Sequence, residues 1–196
     1  MGNGSDSLLP AMSTLSVETH SVEESVALGR ALGGLLQPGD VVALVGPLGA
    51  GKTYFAKGVA TGLGVADTAK VVSPSFVLVR EYEGRAGPQS GRPQGGRPVG
   101  IRLRHVDAYR LHHPRELTEL GAEELFDEAA VTVVEWADRF PEGTIPAVLE
   151  VRLSHLGPTA REVRFSALGE RGVELVSALR SLLEAHRPLT SGGGER

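Results

Sequence analysis

The chain has 196 residues, 41% of them hydrophobic, enough to enclose one core and too few for two large ones. A formal net charge of −4 advertises no basic surface of nucleic-acid-binding strength, so any RNA is expected to reach the chain through a partner. The lack of cysteine excludes disulfides, iron–sulfur ligation, thiolate zinc sites and cysteine nucleophiles, and no uncharged apolar run approaches the roughly 20 residues of a bilayer crossing.

Residues 1–15 are small and polar with no apolar period, which predicts a flexible tail with order beginning near Leu15. The opening MGNGSDSLLPAMSTLS has neither a basic n-region nor a long apolar h-region, so the expected location is cytoplasmic with no membrane contact. Ser21-Val22-Glu23-Glu24 fits a capping box. Val22, Ala27, Leu28, Leu32, Leu35 and Leu36 then recur near one helical turn until Pro38-Gly39 stops them, predicting a first helix. VVALV at 41–45 is unbroken aliphatic sequence and suits a central parallel strand covered on both faces.

After a glycine turn, 52–63 predicts a helix ended at Gly64. Short apolar strands are expected at 76–82, 101–106, 131–135, 148–153 and 162–165. Between the first two, GRAGPQSGRPQGGRPVG at 84–100 offers little apolar surface to offset ordering entropy and reads as a mobile hairpin extension. A solvated loop accounts for its arginines more simply than a contact with RNA or a partner. The acidic stretch RELTELGAEELFDE at 115–128 reads as a solvated helix pair, with a docking face the weaker reading. Leu175, Leu179, Leu182 and Leu183 mark a closing amphipathic helix, and 189–196 a second tail. One domain over 16–188 is expected, without internal repeats.

Gly46-Pro-Leu-Gly49-Ala-Gly51-Lys52-Thr53 fits GxxxxGK[ST], the P-loop, with the strand before and the helix after that this motif requires. Glycines let successive amides converge on an anion, and the helix start adds its partial positive charge. Lys52 can reach outer phosphates, and Thr53 can place its hydroxyl on a magnesium ion. The expected nucleotide-contacting set is Gly46, Leu48, Gly49, Ala50, Gly51, Lys52, Thr53 and Tyr54. A chance match competes in a chain with 26 glycines, and the structural context weighs against it. The expected fold is α/β: a P-loop NTPase-like, mostly parallel sheet flanked by helices, with an antiparallel hairpin portion.

A P-loop needs a carboxylate at a neighbouring strand end to hold the metal or its water. VTVVEW offers Glu135 and IRLRHVDAYR offers Asp107; each, alone, reads equally as a surface carboxylate. SPSF at 73–76 brings hydroxyls from Ser73 and Ser75 around a proline bend that could act as a switch. A zinc site from His105, Asp107, His112 and His113 lacks a closing ligand.

GPLGAGKT, SPSF, HVDAYR and VEW, in this order and spacing, resemble the TsaE (YjeE) family of bacterial P-loop ATPases, which works with TsaB and TsaD in threonylcarbamoyl modification of a tRNA adenosine beside the anticodon. The resemblance covers about 17–164. Pro47 stands where the family carries aspartate, Ser75 where it carries threonine, and the extension at 84–100 is longer than the family's hairpin. The resemblance implies ATP on Gly49, Gly51 and Lys52, magnesium on Thr53 and Glu135, Asp107 near the metal or attacking water, Ser75 in the switch loop and Trp136 beside the nucleotide. A core aromatic is the other reading of Trp136. His105 reads as a hydrogen-bonded structural histidine before a base, and Arg110 as either a charge neutraliser, a partner contact or a surface ion pair. No NKxD base-reading motif occurs, so ATP over GTP rests on the resemblance.

The P-loop and its carboxylates, read with this resemblance, point to a magnesium-dependent ATPase with Lys52, Asp107 and Glu135 as its catalytic groups; the resemblance implies that it acts on a TsaB–TsaD complex and on tRNA only through it. Its isolated turnover is expected to be slow, because no arginine finger or water-orienting glutamine is legible. A small-molecule kinase, or a nucleotide-sensing module without relevant turnover, are the alternatives.

Overall fold

The computed structural model describes residues 13–73, 78–85, 100–111 and 113–186. Its first element, β1 (Thr14–Thr19), starts inside the segment expected to be a tail. Polar and apolar residues alternate along it, so Leu15 and Val17 pack on the core while Thr14, Ser16 and Glu18 face water. In α1 (Val22–Gly33) the Ser21 hydroxyl accepts the Glu24 N–H at 3.1 Å. The Glu24 carboxylate reaches back to the His20 N–H at 2.7 Å, one residue earlier than a strict capping box. The helix ends at Gly33, short of the apolar period that continues to Leu36.

β2 (Val41–Val45) is buried at every position, as its aliphatic run requires, and α2 (Lys52–Gly62) follows the glycine turn. β3 (Val79–Arg85) and β4 (Gly100–Asp107) form an antiparallel pair. Gly84, Arg85 and Gly100, expected within the mobile extension, are strand residues; the rest of that expectation, 86–99, lies outside the described residues. The acidic stretch supplies α3 (Pro114–Glu119) and α4 (Ala122–Leu125). β5 (Ala130–Glu135), β6 (Leu149–His155), β7 (Arg161–Ala167) and α5 (Gly169–Ala185) complete the order.

The seven strands make one sheet in the order β1-β7-β6-β2-β5-β4-β3. Its centre, β6-β2-β5-β4, is parallel; β7, β1 and β3 add antiparallel strands at the two flanks. The antiparallel portion is therefore larger than one hairpin. On one face Val42, Leu44, Leu103, Val131, Val133 and Val151 pack against α1, α2 and α5 through Leu32, Phe55, Val59 and Leu175. On the other, Val41, Val106 and Val134 meet Leu117, Leu125 and Phe140. No helix among the described residues is long and apolar enough to cross a membrane.

Two glycine pairs set how closely α1 and α2 approach. A Cβ on Gly29 would lie 2.4 Å from the Phe55 carbonyl oxygen, and one on Gly58 2.2 Å from that of Val26. Gly33 and Gly62 meet the facing backbone in the same way. Because α2 begins at the glycine turn, this crossing holds the turn against the sheet. The register then aligns Leu44 with Glu135 and Glu135 with Asp107, bringing the turn after β2 and both carboxylates to the C-terminal edge of the parallel strands. Open α/β sheets gather ligands at that edge.

Candidate nucleotide-binding site

The turn is built from glycines where side chains cannot go. Gly46 has φ +145°, and a Cβ there would sit 2.3 Å from the Leu153 carbonyl oxygen. Gly51, at φ +100°, is the N-cap of α2 and supplies no side-chain partner to its first amides. Those amides and the helix dipole therefore form an arrangement able to hold an anion. Lys52 lies in the same concavity, only 4% exposed, with its Nζ donating to the Gly46 and Pro47 carbonyls at 2.6 and 3.0 Å. The ammonium also sits 3.4 Å above the centre of the Trp136 ring. Burial pushes the Lys52 ammonium below its ordinary pKa, and the nearby carboxylates of Glu135, Asp138 and Asp107 oppose that shift. A polyphosphate arriving beside it would act in the same direction as the carboxylates.

The carboxylates stand beside the turn. Glu135 is 2% exposed; its Oε2 accepts the Thr53 hydroxyl at 3.0 Å and its Oε1 lies 2.8 Å from His105 Nε2. Asp107, equally buried, accepts the Tyr109 N–H at 2.9 Å and the Ser73 hydroxyl. Oxygen donors of this kind suit a hard cation that shares its coordination with phosphate and water, as magnesium does. No cluster of three or more His, Cys, Asp or Glu side chains able to hold a metal occurs among the described residues; of the zinc set considered from the sequence, His112 lies outside them. Thr53 and Glu135, hydrogen-bonded to each other beside the turn, are the oxygen-bearing side chains that could contribute ligands to such an ion.

Trp136 terminates β5 at φ +62°, which turns its ring back over the loop. Tyr109 packs on that ring at 5.0 Å, and the Arg139 guanidinium covers Tyr109 at 4.7 Å. Trp136 is thus a partly buried aromatic that packs on Tyr109 and covers the Lys52 ammonium. His105 is fully buried and hydrogen-bonded. Leu48 is 78% exposed at the tip of the turn, while Gly49, Ala50, Gly51 and Tyr54 line a cleft of about 290 Å³ with Ser21, Thr159 and Arg161. Arg110 is exposed. Ser75 and His112 lie outside the described residues.

Arg161 has no counterpart in the sequence reading. It opens β7 and donates to the Ala50 carbonyl at 3.2 Å, and to those of Gly157 and Ala160 at 3.1 and 2.8 Å, fastening the glycine turn to the β6–β7 connection. No local signal could reveal it, because its partner lies 111 residues away.

Comparison with known proteins gives a consistent result. Residues 19–163 match the family model of the threonylcarbamoyl adenosine biosynthesis protein TsaE. The chain is 36% identical over 160 residues to the tRNA threonylcarbamoyladenosine biosynthesis protein TsaE of Bacillus subtilis, covering 82% of this chain and 90% of that one. It is 42% identical over 140 residues to the protein of the same name from Mycobacterium tuberculosis, covering 69% and 76%. The crystal structure of Bacillus subtilis YdiB superposes with a TM-score of 0.68 at 32% identity, over 88% of this chain and 97% of that one. With a family model spanning most of its length and a structure of the same architecture, the chain belongs to the TsaE family.

Proposed function

We propose that the protein is a magnesium-dependent ATPase that supports threonylcarbamoyladenosine synthesis on tRNA in the cytoplasm, acting on a complex of TsaB and TsaD homologues and meeting tRNA only through them. The observation that carries this reading is the pairing of Thr53 with Glu135 at the mouth of an uncapped helix N-terminus that also holds the Lys52 ammonium. Family membership supplies the pathway.

In this reading the loop amides and Lys52 bind the phosphates, and the cleft beside Tyr54 and Arg161 takes the nucleoside. Thr53 and Glu135 would hold a magnesium ion, which would supply charge neutralisation at the phosphate oxygens. Asp107, fixed by the Tyr109 amide and Ser73, orients the attacking water, with Ser75 in the switch segment. No side chain attacks covalently, so the rate enhancement comes from positioning and electrostatics.

Replacing Glu135 by glutamine keeps the shape and removes the charge. Metal-dependent nucleotide binding should weaken by at least about 10-fold, the lower end of what losing even an outer partner of a metal site costs, while metal-free binding stays unchanged. Calorimetric titration with ATP, with and without magnesium, checks this; equal magnesium dependence in both proteins would remove the assignment. ATP turnover of the purified chain is expected to be slow and to rise with the partner complex. A phosphorylated small molecule detected by mass spectrometry after incubation with metabolites would instead mark a kinase.

Arg161→Ala should release the turn from the β6–β7 connection. Loss of its charge-assisted bonds to backbone carbonyls should cost about 1–3 kcal/mol in urea unfolding, with weaker nucleotide binding alongside.

A further inference from the structure

Two buried side-chain nitrogens have no hydrogen-bond partner among the described residues: Nδ1 of His105 and Nε of Arg80. They belong to residues directly opposed in the antiparallel β3/β4 register. Opposed residues project from the same face of the sheet with Cβ atoms about 5 Å apart, within easy reach of an arginine side chain. The two vacancies are also complementary in kind. Arginine Nε–H can only donate. His105 Nε2 faces the Glu135 carboxylate at 2.8 Å, so Nε2 carries the hydrogen and Nδ1 of a neutral ring presents a lone pair.

We propose that Arg80 is a positioning residue for the metal carboxylate. Its Nε–H serves the Nδ1 lone pair of His105 through one ordered water, since the two atoms are not bonded to each other directly, and so fixes the ring as the Nε2–H form that pins Glu135 Oε1. Glu135 Oε2 is left directed at Thr53 and the cation side of the site. A histidine held this way on its far nitrogen parallels the outer partners that orient groups around metal ions. The inference rests on the magnesium–nucleotide reading above for its consequence, but not for the hydrogen bond itself.

The test uses the full chain, labelled with nitrogen-15 and free of nucleotide. Long-range proton–nitrogen spectra report the two ring nitrogens of His105, assigned by their loss in His105→Gln. The wild-type ring should show Nε2–H with an Nδ1 resonance displaced as for a hydrogen-bonded acceptor. Arg80→Leu should return it to the unbonded position, and Arg80→Gln, which keeps an N–H donor without the charge, should restore it. Manganese affinity of the protein–nucleotide complex, read by electron paramagnetic resonance, should fall about tenfold in Arg80→Leu and recover in Arg80→Gln, with metal-free nucleotide affinity constant. An Nδ1–H ring, or an Nδ1 shift indifferent to Arg80→Leu, overturns the hydrogen bond; unchanged manganese affinity overturns the positioning role. A wild-type protein that binds no manganese–nucleotide sinks the functional reading and the positioning role together, while the nitrogen shift still decides the bond.

Discussion

Lys52→Ala is expected to lower Mg–ATP affinity by at least about 100-fold, equivalent to roughly 2.7 kcal/mol, because it removes the ammonium held inside the loop's concavity. The physical basis is visible in the free protein. The Lys52 ammonium is desolvated, its pKa pushed down by burial, and it is held by the Gly46 and Pro47 carbonyls and the Trp136 ring. A bound polyphosphate would give that charge a stronger partner without a new desolvation cost. Stability should respond much less, because the alanine variant loses two hydrogen bonds but also sheds a buried charge; a change within about 2 kcal/mol is expected. Calorimetry for binding and urea unfolding for stability separate the two effects. A variant that holds nucleotide as tightly as the parent would refute the assignment of this turn to phosphate.

Gly58→Ala should be among the most destabilising single-methyl additions in the chain. The added Cβ would sit 2.2 Å from the Val26 carbonyl oxygen, and 3.0 Å from both the Arg30 nitrogen and the Gly29 Cα, all of them backbone atoms that cannot swing aside. Relief requires α1 and α2 to separate, which opens the packing of Leu32, Phe55 and Val59 beneath them. A loss of about 2–4 kcal/mol in urea unfolding is expected, in the range of overpacked cores. Gly49→Ala makes an informative contrast. Nothing lies within 4 Å of its added Cβ, so only the left-handed backbone at φ +76° opposes it, at about 1–2 kcal/mol. A Gly58→Ala protein as stable as the parent would show that the helix crossing tolerates separation. In that case the crossing would not be what holds α2, and with it the glycine turn, against the sheet.

What could be read from the sequence alone shares one property: the signal and its cause lie within a few residues of each other. The buried run at Val41–Val45, the Ser21 cap and the GxxxxGK[ST] turn are each decided by local backbone preference, burial periodicity or a side chain reaching its own neighbouring amides. Glu135 and Asp107 were legible as strand-ending carboxylates, but not as neighbours. Their adjacency comes from the β4/β5 register, which joins chain segments 28 positions apart. β1 was missed because a short edge strand with one wet face carries little apolar signal until β7 pairs with it. The glycine crossing of α1 and α2, the fastening of the turn by Arg161, and the pairing of Arg80 opposite His105 exist only once distant segments meet. Local chemistry thus determined that the chain makes a strand, a glycine turn and a helix able to hold an anion. Tertiary packing decided which distant side chains surround that turn, because register and helix spacing depend on the whole sheet and on no single segment.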